Sequence, residues 1–139
     1  MEKNFESSQT YLNLKKAFEE EAALYFRYKF FLIVAEYEGL EKVSKILRDF
    51  SDGSLDNVHG SLDFMRHFRD PSSNVPIGNS EQNIKSILQT EIEQSSQSFP
   101  EMAKIAREEG FTDVASWFDT LEKLKRVHVS TLKELKEEK

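Results

Sequence analysis

The chain has no cysteine, which excludes disulfides, thiolate metal sites and iron–sulfur clusters, so any electrons used in its chemistry must come from a separate partner. Glycine and proline are scarce, at 5 and 3 of 139 residues, too few for the many tight turns of an all-β domain. Long apolar runs are missing as well. The longest is Phe30-Phe31-Leu32-Ile33-Val34-Ala35, far short of the roughly 20 residues that cross a bilayer. The start of the chain lacks the basic, apolar and small-residue sections of a signal peptide, so a soluble, cytoplasmic protein without a membrane partner is expected. Positive charge is also in deficit: 19 Lys and Arg against 25 Asp and Glu give a net charge of -6. The charges are interspersed, no basic face can neutralise a phosphate backbone, and nucleic acid is not an expected partner.

What remains is a chain rich in Leu, Lys, Glu, Ala and Phe at helical spacing, long enough for one domain with a continuous core. Residues 1–8 are polar and expected to be flexible, and the domain is expected to span 9–137. Thr10 or Asn13 could cap a first helix that Gly39 ends. A second helix is predicted from about Leu40 to His67, a third from Ser80 to Glu109 and a fourth from Phe111 to Leu135. Breakers and turn formers collect between residues 68 and 79, the expected crossover between two helical hairpins. Pro100 falls inside the third helix and should kink it or mark a π-type irregularity. The hairpins read as copies: Glu38-Gly39-Leu40-Glu41-Lys42-Val43 returns 71 residues later as Glu109-Gly110-Phe111-Thr112-Asp113-Val114. That offset pairs Ser54 with Lys125 and Asn57 with His128.

Polar residues interrupt the apolar seam of each helix near its middle. Glu21 breaks the series Leu14, Phe18, Tyr25, Tyr28, Leu32, Ala35, and Lys125 with His128 breaks Val114, Phe118, Leu121, Leu132, Leu135. Glu91 with Gln94 or Ser95 interrupts the third helix, and Ser54, Asn57 and Ser61 the second. Packed antiparallel, the four helices would gather these groups into one polar pocket. Buried ionisable groups are costly unless paired, so the pocket needs either a metal ion or ion pairs among the side chains themselves.

The segments Ala17-Phe18 followed by Glu21 and Arg27-Tyr28, residues 99–111 (Phe99-Pro100-Glu101-Met102-Ala103-Lys104-Ile105-Ala106-Arg107-Glu108-Glu109-Gly110-Phe111), and Ala115-Ser116-Trp117-Phe118-Asp119-Thr120-Leu121 resemble those of rubrerythrins. The resemblance runs from Leu14 to about Leu135. It implies an all-α, ferritin-like four-helix bundle made of two helical hairpins joined by a long crossover, usually dimeric; lacking cysteine, this chain is expected to carry no rubredoxin domain. It also implies a di-iron centre that reduces peroxide with electrons from a rubredoxin domain in the same chain or from a separate donor. The family holds that centre with a Glu on the first helix, Glu-x-x-His on the second, two Glu three residues apart on the third and Glu-x-x-His on the fourth. Carried over without gaps, Glu21, Glu91 and His128 are the retained metal candidates, while Ser54, Asn57, Gln94 and Lys125 stand at substituted positions. Tyr28 is kept near the centre, and a second family tyrosine becomes Phe99.

Lys125 decides the reading, because a protonated amine cannot bind a metal and stands where the family places positive metal charge. A degenerate, metal-free site with a Lys–carboxylate cluster and a structural or partner-binding role is therefore the preferred expectation. The alternative is a non-haem iron oxidoreductase with a rebuilt or single-metal site, recruiting Asp56 and His59 if the second helix slips by two residues. Such a slip turns a helix by about 200° and would expose Leu62, Phe64 and Met65. Phe26, Phe30 and Ile33 lie off the inner seam of the first helix and point to a homodimer contact.

Overall fold

The computed structural model describes residues 4–135; residues 1–3 and the charged tail beyond Leu135 lie outside them. Every long element is α-helical, and no β-strand occurs among the described residues. The chain divides into two compact units, Met1–Pro71 and Ser72–Lys139, each built around a helical hairpin.

In the first unit α1 (Gln9–Tyr37) packs along α2 (Glu41–Met65). Ser8 caps α1, accepting from the Tyr11 backbone N–H at 3.0 Å. The helix begins a turn earlier than its apolar seam suggests because Tyr11, which is buried, extends that seam towards the N-terminus. Glu38 ends α1, and Gly39 adopts a left-handed φ of 73°. The Gly39 N–H then reaches Glu36 O and the Leu40 N–H reaches Ala35 O, both at 3.0 Å, which satisfies carbonyls that the helix end would otherwise orphan. Asn4 caps a short 3₁₀ turn, Phe5–Ser7. Phe5 packs edge-on against Tyr11 and touches Phe68, and the Tyr11 hydroxyl donates to Arg69 O at 3.1 Å.

The second unit repeats this plan. Asn79 and Gln82 form a reciprocal capping box at the start of α3 (Ser80–Glu93), which continues through a π-helical turn, Gln94–Ser98, into α4 (Phe99–Glu108). Pro100 explains why the irregularity lies there: it has no N–H to give to the carbonyl four residues back, so the regular ladder restarts at the proline. Gly110, at φ 87°, makes the same closing turn, with Gly110 N–H to Arg107 O and Phe111 N–H to Ala106 O. It leads into α5 (Thr112–Glu134).

Ion pairs latch both turns at corresponding places. Arg48 reaches Glu36 at 3.4 Å in the first unit, and Arg107 pairs with Asp119 in the second. Adding 71 to Glu36 and Arg48 gives Arg107 and Asp119, so the latch is repeated with its polarity reversed.

Beside Leu32 and Met65 in the first unit and Leu88 in the second, the buried residues of the hairpins are mostly small: Ala35, Ser44, Ser51 and Ser54 in the first, and Ser86, Ser95, Ala103, Ala106 and Ala115 in the second. Ser44, Ser51 and Ser95 give their hydroxyl protons to carbonyls of their own helices, so each packs as a small, satisfied group. Several large seam residues, among them Phe50, Met102, Ile105 and Val114, are instead exposed.

Burial raises the Tyr11 phenol above its ordinary value of 10.0, with Glu6 adding to the shift. Stability gained from the neutral phenol is therefore full below pH 10 and falls as pH rises through the elevated value. Tyr11→Phe should cost about 0.5–1.5 kcal/mol at pH 7 through the lost hydrogen bond. It should also flatten the alkaline decline of the wild type, as read from urea midpoints at pH 7 and above pH 10.

Candidate metal centre

The ligand-position residues fall into one group per unit. In the first, Glu21 projects from α1 and Asn57 from α2, and Asn57 Nδ2 donates to Glu21 Oε2 at 3.3 Å. Ser54, one turn before Asn57, is buried in the hairpin layer. Asp56 and His59 are exposed, and His59 borders an open depression with Gly60, Leu62, Asp63 and Arg66. Tyr28 rests against Phe50, with ring centroids 5.7 Å apart.

In the second unit the geometry is tighter. Lys125 Nζ donates to Glu91 Oε1 at 3.0 Å, and the side chains are only 22% and 12% exposed. His128, one turn further along α5, brings Nδ1 to 3.3 Å from Glu91 Oε2. Both oxygens of this carboxylate thus have nitrogen partners from the same face of α5. Gln94, three residues after Glu91, opens the π-helical turn, and its Oε1 is buried without a hydrogen-bond partner. Phe99 stacks on Phe118 at 6.5 Å between centroids.

The π-helical turn also accounts for the phase of Glu91. After it the repeat offset is 71, which pairs Tyr28 with Phe99; before it an offset of 70 pairs Glu21 with Glu91. One extra residue absorbed in the turn changes the register of everything before it by about 100°. Without that residue, the carboxylate equivalent to Glu21 would lie off the face that meets Lys125. Sequence reading had the signal for the irregularity in Pro100, but comparing the hairpins at a fixed offset hid the insertion.

Taken alone, each unit has a single carboxylate at a ligand position, Glu21 in the first and Glu91 in the second. Two cations held close together need carboxylates that bridge them. Here the second unit offers one carboxylate, already bonded at both oxygens, beside an ammonium that repels cations. In the first unit a carboxamide and a hydroxyl accompany Glu21. No group of three or more His, Asp or Glu able to hold a metal ion occurs among the described residues.

Long helices in hairpins closed by matching glycine turns, with polar groups at mid-length, define the all-α, ferritin-like class. Residues 13–136 match the rubrerythrin family model, and the chain belongs to that family. It is 26% identical over 132 residues to a rubrerythrin of Porphyromonas gingivalis, covering 92% of this chain and 66% of that protein. To rubrerythrin-1 of Clostridium acetobutylicum it is 26% identical over 134 residues, covering 91% of this chain and 69% of the relative. The chain thus spans about two thirds of the length of these curated relatives. No helix among the described residues is long and apolar enough to cross a membrane.

Removing the ammonium strands a mostly buried carboxylate, so Lys125→Ala should lower unfolding free energy by about 1–3 kcal/mol. The double variant Glu91→Ala with Lys125→Ala should lose less than the sum of the two single variants. Urea denaturation of the four proteins checks the coupling; strict additivity would mean that the pair contributes nothing.

Proposed function

We propose that this rubrerythrin-family chain is a cytoplasmic, metal-free member in which a Lys–carboxylate cluster stands in for the di-iron centre, leaving a structural or partner-binding role. The observation that carries this reading is the 3.0 Å contact between the Lys125 ammonium and Glu91. A side chain tethered to α5 neutralises the carboxylate without a diffusible cation, and it repels any metal that approaches the same oxygens. In this reading Ser54, Asn57, Gln94 and His128 supply hydrogen bonds rather than a coordination sphere, and no separate electron donor is required.

The acting form in this proposal is a homodimer. Phe26, Phe30, Ile33 and Tyr37 recur along α1 at steps of four, three and four, and each is at least 65% exposed. A stripe of this kind on the face turned away from α2 suits an isologous contact between two copies.

A second reading has one observation in its favour: Glu91 and His128 already stand 3.3 Å apart. Were Lys125 to swing away, they could hold a single iron within the second unit, with peroxide reduced by electrons from a separate donor.

Elemental analysis of protein purified from iron-supplemented medium separates the two readings. Well below one iron per chain and no peroxide turnover are expected; about one iron per chain or more, with turnover, would sink the metal-free reading. Phe30→Glu should weaken self-association by roughly tenfold or more in sedimentation equilibrium, with helical content unchanged. A wild-type protein that stays monomeric at micromolar concentration would overturn the dimer.

A further inference from the structure

We infer that the 3₁₀ turn Phe5–Ser7 is a releasable strap, which clasps Phe68 and Arg69 and holds the stretch just beyond α2 in place. Two consecutive side chains make the clasp. The Phe5 ring lies 5.0 Å from that of Phe68, centroid to centroid, and Glu6 Oε2 accepts from Arg69 Nε at 2.9 Å. Tyr11 is the fixed seat: it belongs to α1, is 5% exposed, meets the Phe5 ring edge-on at 5.4 Å and donates its hydroxyl proton to Arg69 O. A ring contact, an ion pair and a hydrogen bond thus converge on two residues, and the ion pair joins positions 63 apart in the chain.

The turn grips the end of α2 through side chains, while its own backbone bonds close locally, Ser7 N–H to Asn4 O and Ser8 N–H to Phe5 O. On the other side of the clasp the Phe68 N–H goes to Met65 O at 2.9 Å. Such a clasp opens without breaking the hydrogen-bond ladder of α1 or α2, so its opening costs less free energy than unfolding the hairpin. The charged half is partly solvated, with the Arg69 and Glu6 side chains 42% and 38% exposed, so salt screens it and leaves the ring contact in place. Release uncovers the parts of Phe68 and Tyr11 that Phe5 covers and loosens residues 66–71 while the hairpin stays folded.

The test follows amide hydrogen exchange by NMR in the full chain. It compares wild type, Glu6→Gln, the double variant Phe5→Ala with Glu6→Gln, the reversed pair Glu6→Arg with Arg69→Glu, and Arg48→Gln as a control at the other end of the hairpin. In the double variant the Phe68 amide is expected to exchange at least about tenfold faster than in wild type, and trypsin to cut after Arg69, with amides in the middle of α1 and α2 unchanged. Glu6→Gln alone should fall between the two and lose the rise with salt that wild type shows. The reversed pair should return to near the wild-type rate, and Arg48→Gln should leave Phe68 unaffected. Unchanged exchange at Phe68 in the double variant would overturn the inference, as would equal acceleration throughout α1 and α2, which would make the turn an ordinary part of hairpin stability. A reversed pair as loose as Glu6→Gln would overturn it too. Should the double variant fail to fold, the salt response of Glu6→Gln carries the test, and a response equal to that of wild type counts against the strap.

Discussion

A carboxylate held largely out of water must be answered by positive charge or by hydrogen-bond donors. At Glu91 both answers come from α5, through the Lys125 ammonium and the His128 ring. Other features of the second unit bear on this contact. The π-helical turn sets the phase of Glu91, the Gly110 turn brings α5 back along α4, and Ala103, Ala106 and Ala115 leave the two helices little side-chain bulk between them. A small change of register at any of these places would move one charge away from the other.

The first unit shows the same architecture with weaker electrostatics. Asn57 gives Glu21 a neutral amide donor rather than an ammonium. The copies therefore agree in backbone plan and differ in how they settle their acid. Serine is prominent in the buried layer because its hydroxyl can return its proton to its own helix, as at Ser44 and Ser51.

Much of this was legible in the residues. The glycine-centred turns, the helical periodicity and the proline gave the elements and their order, because those signals act locally. The resemblance led to a Lys–carboxylate cluster joining Lys125 to both Glu21 and Glu91; Lys125 contacts Glu91, while Glu21 accepts from Asn57. Less legible was the layer between paired helices. Ser51, Ser86 and Ala103 carry little weight in an apolar periodicity, yet they are among the most buried residues, while Phe50 and Met102 on the same seams are exposed. The one-residue insertion was hidden for a different reason: fixed-offset comparison assumes a constant helical phase, and a π-helical turn breaks it. Ser8 caps α1 ahead of Thr10 and Asn13 because the buried Tyr11 extends the apolar seam by a turn beyond Leu14.

The reversed latches make the two halves unequal in any exchange of helices. Glu36 with Arg48 and Arg107 with Asp119 hold equivalent turns, but acid leads in one and base in the other. A chimera splicing α1 to α5 would confront Glu36 with Asp119, and one splicing α4 to α2 would confront Arg107 with Arg48, so like charges would meet at the bend. The halves are therefore poor substitutes for one another at the bend, where an exchanged helix meets a charge of its own sign.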